Sequence, residues 1–111
     1  MIEETLASLV ERFNRRAAAT PAVREELGTL RRTIEVHVTD AGQYAVDLRD
    51  GQLRNLRTGP AEHADLTIVT DEATFHGLVR REIGPMKALV TRRLRIDGSL
   101  EDKLLFRKLL S

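Results

Sequence analysis

The sequence predicts an α+β fold in which a single sheet of five strands is covered by helices. An amphipathic helical period occupies the first twenty residues, and alternation of apolar and polar residues begins near residue 30. Two further strand patterns then alternate with short helical patterns towards the C-terminus. The simplest architecture for these elements is one sheet covered by a layer of helices. Their order is two helices, three strands, a crossover to a fourth strand, two helices, a fifth strand and a last helix.

The N-terminal segment predicts a helix with one apolar stripe. Its opposite face holds Glu3, Glu4, Arg12 and Arg15. A stripe confined to about 100° of the helical circumference has to pack on another part of the fold. The stripe consists of Ile2, Leu6, Leu9, Val10, Phe13 and Ala17.

A second, shorter helix is predicted from Pro21 to Leu27. Thr20 is a suitable N-cap residue, and proline is favoured at the first helical position. Gly28 follows, and we expect it to close the helix in the left-handed conformation that glycine tolerates.

Three strands are predicted to form an antiparallel meander with one apolar face. The first strand begins at Leu30, and Asp40–Gly42 forms the turn that follows it. Tyr44–Arg49 is the second strand, and Asp50-Gly51 is the strongest short-range hairpin signal in the chain. Leu53–Thr58 returns as the third strand.

A fourth and a fifth strand are separated by two short helices. Gly59-Pro60 ends the meander, and a crossover leads into a strand at Leu66–Val69. Thr70–Glu72 suits a helix N-terminus, since oxygen acceptors and negative charge are favoured there. Gly84-Pro85 separates this helix from the next one, and Leu94–Asp97 alternates again as the fifth strand.

The last helix is apolar on three sides. Ser99 followed by Asp102 is predicted to form a capping box at its N-terminus. A helix that is apolar on several sides is buried on more than one side, or it faces a ligand or a partner. Two interpretations stay open: ordinary packing at the end of the chain, or a helix between the core and an apolar cavity or second subunit. The three sides are Leu100 with Leu104, Leu105 with Leu109, and Phe106 with Leu110.

Composition excludes several classes of function. The 111 residues include no cysteine, which rules out disulfide scaffolds, cysteine metal sites and thiol nucleophiles. The net charge is +1, from 18 basic and 17 acidic residues, so no global field attracts nucleic acid. Three phenylalanines, one tyrosine and no tryptophan supply few surfaces on which bases could stack. We therefore expect no nucleic-acid partner.

No catalytic or metal site is predicted, and no cofactor. The three histidines, His37, His63 and His76, lack a metal-ligand spacing. The carboxylates that are close in sequence occupy predicted turns or caps, where they have structural reasons to be ionised. The alternative, an enzyme built on His37 or His76, requires a carboxylate beside the histidine in an apolar cleft. The paired carboxylates are Asp47 with Asp50 and Asp71 with Glu72.

The sequence does not predict a membrane span, because no apolar run approaches the roughly 18 residues that a span needs. The start, Met1–Glu4, lacks the basic and apolar stretches of a signal peptide. We expect a cytoplasmic protein, and transient contact with a membrane surface stays open.

Four segments together resemble the sterol carrier protein family: Tyr44–Gly51, Ala64–Asp71, Gly84–Leu89 and Leu94–Leu100. The second contains an Ala-Asp-hydrophobic-Thr strand that enters a helix, and the third contains a Pro-x-x-Ala helix. The fourth is a Leu-x-Ile-x-Gly-Ser-Leu corner between a strand and a helix. The order and spacing of these segments carry the resemblance, which spans residues 30–110.

The resemblance implies a mixed, mainly antiparallel five-stranded sheet, with helices on one face and an apolar tunnel between them. Members of the family bind fatty acids, fatty acyl-CoA, sterols or other lipids and do not transform them. Residues 81–83 depart from the family's approach to Pro85, and the scarcity of aromatic residues favours a linear lipid over a sterol. The positions that match the tunnel are Phe75, Leu78, Val79, Met86, Leu89, Val90, Ile96, Leu104 and Leu105.

We therefore expect residues 1–111 to form one lipid-binding domain that carries a fatty acid, an acyl-CoA or a similar lipid. The alternative uses the same residues for protein–protein interaction, with the leucines of the last helix forming a homodimer or docking a partner around a filled core. Replacement of Phe106 or Leu110 by glutamate is expected to dissociate such a dimer.

Overall fold

The computed structural model describes residues 2–110; Met1 and Ser111, the two ends of the predicted 1–111 domain, lie outside the described residues. Within this range, five helices and five strands follow in the order that the hydrophobic periodicity predicts. They are α1 (Ile2–Ala19), α2 (Pro21–Leu27), β1 (Arg32–Val38), β2 (Gly42–Arg49), β3 (Gln52–Thr58), β4 (Leu66–Thr70), α3 (Glu72–Val79), α4 (Pro85–Val90), β5 (Leu94–Gly98) and α5 (Leu100–Leu110).

The sheet has the strand order β3-β2-β1-β4-β5. Only the central pair β1–β4 is parallel among the described strands, so the sheet is mixed and mainly antiparallel, as predicted. The register places Val36 between Tyr44 of β2 and Ile68 of β4. The crossover at residues 59–65 carries the chain from the β3 edge to the far side of β1.

One face of the sheet carries the core. Along β1, buried residues alternate with half-buried ones because successive strand side chains point to opposite faces. The buried set of each strand meets apolar residues of α1, α3 and α5, so the helical layer lies on one face only, as expected. The most deeply buried large side chains are Phe13, Leu27, Ile34, Val38, Leu48, Leu66 and Thr74.

The opposite face is polar, and it corrects one prediction. Asp47 is not in a turn or a cap: it lies within β2, and 7% of its surface is exposed. A register shift between β2 and β3 places Arg57 within 3.3 Å of its carboxylate, and Asn55 donates a hydrogen bond to it. A buried carboxylate needs such partners, because an unpaired charge in the interior is costly.

Two local expectations about the ends of elements are also wrong. Gly28 has φ −64°, a right-handed conformation, and its N–H donates to the carbonyl of Arg24 at 2.7 Å. The helical hydrogen-bonding pattern of α2 therefore extends through Gly28. Leu30 donates its N–H to the carbonyl of Leu27, which keeps it in a turn, and β1 begins at Arg32 rather than Leu30.

Candidate functional site

An open apolar groove of about 540 Å³ lies between α4, β5 and α5. Its volume falls in the range of about 300–1,000 Å³ that is usual for small-molecule sites. Its lining is mostly hydrophobic and includes two cationic residues, Lys103 and Arg107. The lining residues are Pro85, Met86, Leu89, Ile96, Lys103, Leu104, Phe106 and Arg107.

The first wall, α4, is a short helix held by its ends. Gly84 is extended before Pro85, which occupies the first turn, where a missing N–H costs nothing. After the helix, Arg93 donates its N–H to the carbonyl of Ala88 at 2.9 Å, and the chain turns directly into β5. Ala88 is the buried residue of α4, so most of this helix faces the groove or solvent.

A glycine fixes the link from α3 to α4. A Cβ on Gly77 would lie 2.5 Å from the side chain of Ile83, so a larger residue there would displace Ile83. The N–H groups of Glu82 and Ile83 both donate to the carbonyl of Gly77. This link sets the position at which α4 begins.

The second wall, α5, is anchored near both ends. Gly98 has φ +154°, and a Cβ there would lie 2.8 Å from the carbonyl oxygen of Asp65, so glycine is required at this corner. The Ser99 hydroxyl caps the helix by accepting from the N–H of Asp102 at 3.1 Å, which is one of the two hydrogen bonds of the predicted capping box. The Asp102 carboxylate accepts from Arg32 Nε at 2.7 Å.

The far end of α5 is held by two cations. Arg16 of α1 donates to the carbonyl of Lys108 at 2.5 Å, and Lys108 pairs with Glu26 of α2. With its ends fixed, α5 presents two of its predicted apolar sides to the core and one to solvent. The buried residues are Leu105, Phe106, Leu109 and Leu110, whereas Leu100 is 74% exposed and Leu104 is 51% exposed.

A second apolar space lies in the core, beneath α1, α3 and α5. Its volume is about 30 Å³, which is close to one water molecule's share of liquid volume. Phe106 lines both this cavity and the groove. In residues 2–110 the small cavity and the open groove are thus two separate spaces, and Phe106 is the residue that their linings share.

The nine positions predicted to line a tunnel separate into two groups. Phe75, Leu78, Val79, Ile96 and Leu105 are buried, whereas Met86, Leu89, Val90 and Leu104 are exposed. The groove is lined by Met86, Leu89, Ile96 and Leu104 of this set, and the cavity is lined by Phe75 and Leu78. The remaining three positions, Val79, Val90 and Leu105, line neither of these two spaces.

Sequence reasoning missed the role of Phe106, which it assigned to a dimer contact. Phe106 is 4% exposed and Leu110 is 7% exposed, so neither reaches the surface as a dimer contact requires. On a helix of about 3.6 residues per turn Phe106 falls within the arc of the buried residues Leu105, Leu109 and Leu110, so the spacing predicts its burial. Its place beside the groove depends on how α5 packs, which the spacing does not show.

A second, more polar groove of about 700 Å³ adjoins the first and shares Leu89 and Ile96 with it. Arg92, Arg93 and Arg95 line it, together with Asp71. A hydrogen bond from the Thr74 N–H lowers the pKa of the Asp71 carboxyl, and the positive charge of Arg93 lowers it further. Arg95 pairs with Asp97 at 3.2 Å, and Arg92 and Arg93 are exposed along the groove.

The alternative of an enzyme depends on the surroundings of the histidines. His76 Nδ1 lies 2.7 Å from the hydroxyl of Thr5, and His76 Nε2 lies 3.2 Å from the Glu72 carboxylate. These three groups join α1 to α3 and line neither the grooves nor the cavity described above.

Metal binding and membrane spanning find no support in residues 2–110. No group of three or more histidine, cysteine, aspartate or glutamate residues in that range could hold a metal ion. None of the helices within the same range combines the length and the apolarity that crossing a bilayer requires.

The fold and the groove are those of a small α+β domain with an open apolar groove at the edge of its helical layer. The chain belongs to the SCP-2 sterol transfer family, whose model matches residues 10–111. The resemblance seen in the sequence is therefore confirmed. Among curated proteins, no sequence matches.

Solved structures share the fold at low sequence identity. A palmitated SCP2L2 from Aedes aegypti is 17% identical, with a TM-score of 0.65 over 90% of each chain. A ubiquinone synthesis protein, UbiJ-SCP2, is 18% identical, with a TM-score of 0.66 over 94% of this chain and 86% of that one.

A larger protein contains a similar domain. The stereoselective inverting sec-alkylsulfatase Pisa1 from Pseudomonas sp. is 22% identical, with a TM-score of 0.65 over 79% of this chain. This chain spans 14% of the sulfatase, so the likeness concerns one part of that enzyme. At these identities the three comparisons establish the fold.

Proposed function

We propose that residues 1–111 form a non-catalytic carrier domain that binds the hydrocarbon chain of a lipid reversibly in the groove between α4, β5 and α5. The observation that carries the proposal is the shared residue: Phe106 lines both the groove and an apolar cavity in the core. Membership of the SCP-2 sterol transfer family supports lipid as the ligand class. A cytoplasmic location stays a prediction from the sequence.

Movement of one side chain would extend the site. If the Phe106 ring rotates away from the sheet, the groove and the cavity join, and an alkyl chain can reach the apolar residues beneath α5. The lining beyond Phe106 is wholly hydrophobic, and the cavity of about 30 Å³ has room for the end of an alkyl chain only, so a longer segment needs the surrounding side chains to move as well. In this proposal the ligand itself opens the tunnel.

The adjoining groove favours a lipid with an anionic headgroup. Arg92 and Arg93 lie where a headgroup would emerge if its chain ran past Leu89 and Ile96. Arginine binds carboxylate and phosphate oxygens with paired hydrogen bonds. A fatty acid or a fatty acyl-CoA fits this arrangement better than a sterol, whose polar group is a single neutral hydroxyl.

The expected affinity suits a carrier. Burial of about ten methylene groups at about 0.8 kcal/mol each contributes about 8 kcal/mol. The loss of translational and chain freedom on binding offsets a large part of this contribution. Since about 8 kcal/mol corresponds to a dissociation constant of about 1 μM, the expected dissociation constant lies above the micromolar range, and cargo is readily released.

Titration with a fluorescent fatty acid tests the proposal. Leu89 lines both grooves and is 38% exposed, so Leu89→Arg places a charge in the alkyl path without breaking the core. Leu100→Arg is the matched control, because Leu100 is 74% exposed and lines neither groove. We expect Leu89→Arg to weaken binding about tenfold or more and Leu100→Arg to bind like the wild type.

Two results would contradict lipid binding in this groove. One is the absence of saturable binding by the wild-type protein; the other is equal affinity in both arginine variants. Thermal unfolding of each variant without ligand identifies any loss of binding that comes from misfolding.

A second candidate function is protein–protein interaction through the exposed side of α5. The exposure of Leu100 and Leu104 favours it, because large apolar residues at a surface mark interaction sites. Sedimentation velocity of the wild type and of a Leu100→Glu, Leu104→Glu variant tests it. A concentration-dependent dimer that the variant abolishes would support this candidate; a monomer at all concentrations would remove the homodimer.

A further inference from the structure

The exposed large hydrophobic residues of the described chain all lie on two neighbouring helices. On α4, Met86 and Val90 are one helical turn apart, and on α5 the same holds for Leu100 and Leu104. Met86 and Leu104 both line the groove, so the two stripes meet at its mouth. We call this surface the docking face; it consists of Met86 (69% exposed), Leu89 (38%), Val90 (74%), Leu100 (74%) and Leu104 (51%).

The docking face lies in the positively charged part of the chain. Residues 80–111 contain nine arginine and lysine residues and four acidic ones, a net charge of +5, whereas residues 1–79 contain nine and thirteen, a net charge of −4. The overall charge of +1 therefore conceals a strong asymmetry. The exposed cations beside the apolar stripes are Lys87, Arg92, Arg93, Lys103 and Arg107.

We propose that the docking face attaches the protein to a lipid bilayer with anionic headgroups, with the mouth of the groove turned towards the bilayer. The proposal rests on the proposed function, since a carrier has to take up its cargo from a lipid phase. Apolar side chains ringed by lysine and arginine are the pattern of surfaces that lie in the membrane interface. Cations near such a surface attract anionic lipids.

The positive charge of the docking face favours a bilayer over a second copy of the chain as its occupant. A two-fold symmetric dimer through the docking face would place two surfaces of the same sign opposite each other. Like charges opposed across an interface disfavour association, whereas an anionic bilayer is complementary to the same surface. The electrostatic asymmetry thus selects the bilayer as the occupant.

The long N-terminal helix does not offer a comparable surface. The predicted outer face of α1 is only partly exposed, because Arg12 is half-buried and donates to the carbonyl of Val79 at 3.0 Å. The exposed charged residues of α1 include Glu4, Glu11 and Arg15, and its large apolar residues are buried or half-buried. In the proposed orientation Val90 and Leu100 enter the interface, and the groove between their helices opens to the acyl chains. Cargo then passes between bilayer and groove without crossing water.

Vesicle co-sedimentation tests the docking face separately from the groove. The variant Val90→Glu, Leu100→Glu alters two residues that are each 74% exposed and line neither groove, so the fold and the lipid site are left intact. We expect the wild type to bind phosphatidylglycerol/phosphatidylcholine vesicles and to release them as salt is raised. The variant should bind at least about tenfold more weakly, because it adds negative charge and removes apolar contact.

The matched control adds the same charge elsewhere. Ala22 and Thr29 are exposed in and just after α2, which approaches the β2–β3 turn through Arg24 and Gly28 on the β3 side of the sheet. The variant Ala22→Glu, Thr29→Glu should therefore bind vesicles much like the wild type. Equal vesicle binding by the docking variant and the control would overturn the proposal. So would equal binding of the wild type to vesicles of phosphatidylcholine alone, or no binding to either kind.

The outcomes separate this inference from the proposed function. The docking variant should still bind a soluble fluorescent fatty acid, whereas Leu89→Arg should lose the fatty acid. If the wild type binds no fatty acid, the proposed function fails whatever the vesicles show. If the docking variant dissociates a dimer and leaves vesicle binding unchanged, the docking face belongs to a second copy and the membrane proposal is wrong.

Discussion

The helices α1 and α5 lie on the same face of the sheet, but they divide their apolar residues differently. α1 buries Ile2, Leu6, Phe13 and Ala17 and turns a charged face to solvent. α5 also buries four apolar residues, and in addition it exposes Leu100 and Leu104. One buried stripe holds α1 on this sheet, so the extra apolar side of α5 is not needed for the fold and is available for a ligand or a surface.

The largest expected effect compares one phenylalanine from each helix. Phe13→Ala and Phe106→Ala should each lower the free energy of unfolding by about 3–5 kcal/mol, measured by urea denaturation. A saturating fatty acid should then stabilise Phe106→Ala more than Phe13→Ala, because the alkyl chain fills the vacated space next to the groove. Equal stabilisation of the two variants would contradict this expectation, since α5 would then only pack against the core, as α1 does.

A smaller contrast lies within α5 itself. Leu105 is 4% exposed and Leu104 is 51% exposed, although they are adjacent in sequence. Leu105→Ala should lower the free energy of unfolding by about 2–5 kcal/mol, and Leu104→Ala by about 0.5 kcal/mol. Chemical denaturation measures both. Similar losses in the two variants would show that Leu104 is packed in solution.

The N-terminus of α3, the helix that packs against α1, lies at the polar groove, and its cap Asp71 provides a test of helix stability. Asp71 accepts a hydrogen bond from the Thr74 N–H at 2.7 Å, and Asp71→Ala should cost about 1 kcal/mol. The pKa of Asp71 is lowered in the folded state, so its contribution is present above the ordinary carboxyl range and is lost as pH falls through the folded pKa. Stability curves against pH for Asp71→Ala and for the exposed loop variant Glu62→Ala measure this difference.

The smallest effect concerns the contact between α1 and β2. Tyr44 donates to Glu3 at 2.7 Å, and this hydrogen bond raises the pKa of the phenol from 10.0 to about 12. Because the chain has one tyrosine, ultraviolet titration of the phenolate reports it directly. Glu3→Gln should move the midpoint back towards 10.0; an unchanged midpoint would show that the α1 contact is not formed in solution.

Periodicity was sufficient to predict the elements, because a strand or helix buried on one face alternates with a fixed period. The mixed sheet was predicted from the resemblance to the family. Periodicity could not divide the nine predicted tunnel residues between core and groove. Met86 and Leu78 are both apolar residues on short helices, but their exposure depends on how α4 sits against β5, which is a tertiary property. Asp47 shows the same limit: its burial follows from Arg57 and Asn55 on the neighbouring strand.

The short helix α4 has a consequence for how fast cargo is exchanged. Ala88 alone among its six residues, all of them described, is buried, so little apolar area holds this helix in place. Segments with few buried contacts open at a fraction of the free energy that global unfolding requires. The rate at which a bound lipid dissociates would then be set by the rate at which α4, about one and a half helical turns, detaches, while the strands beneath it stay paired.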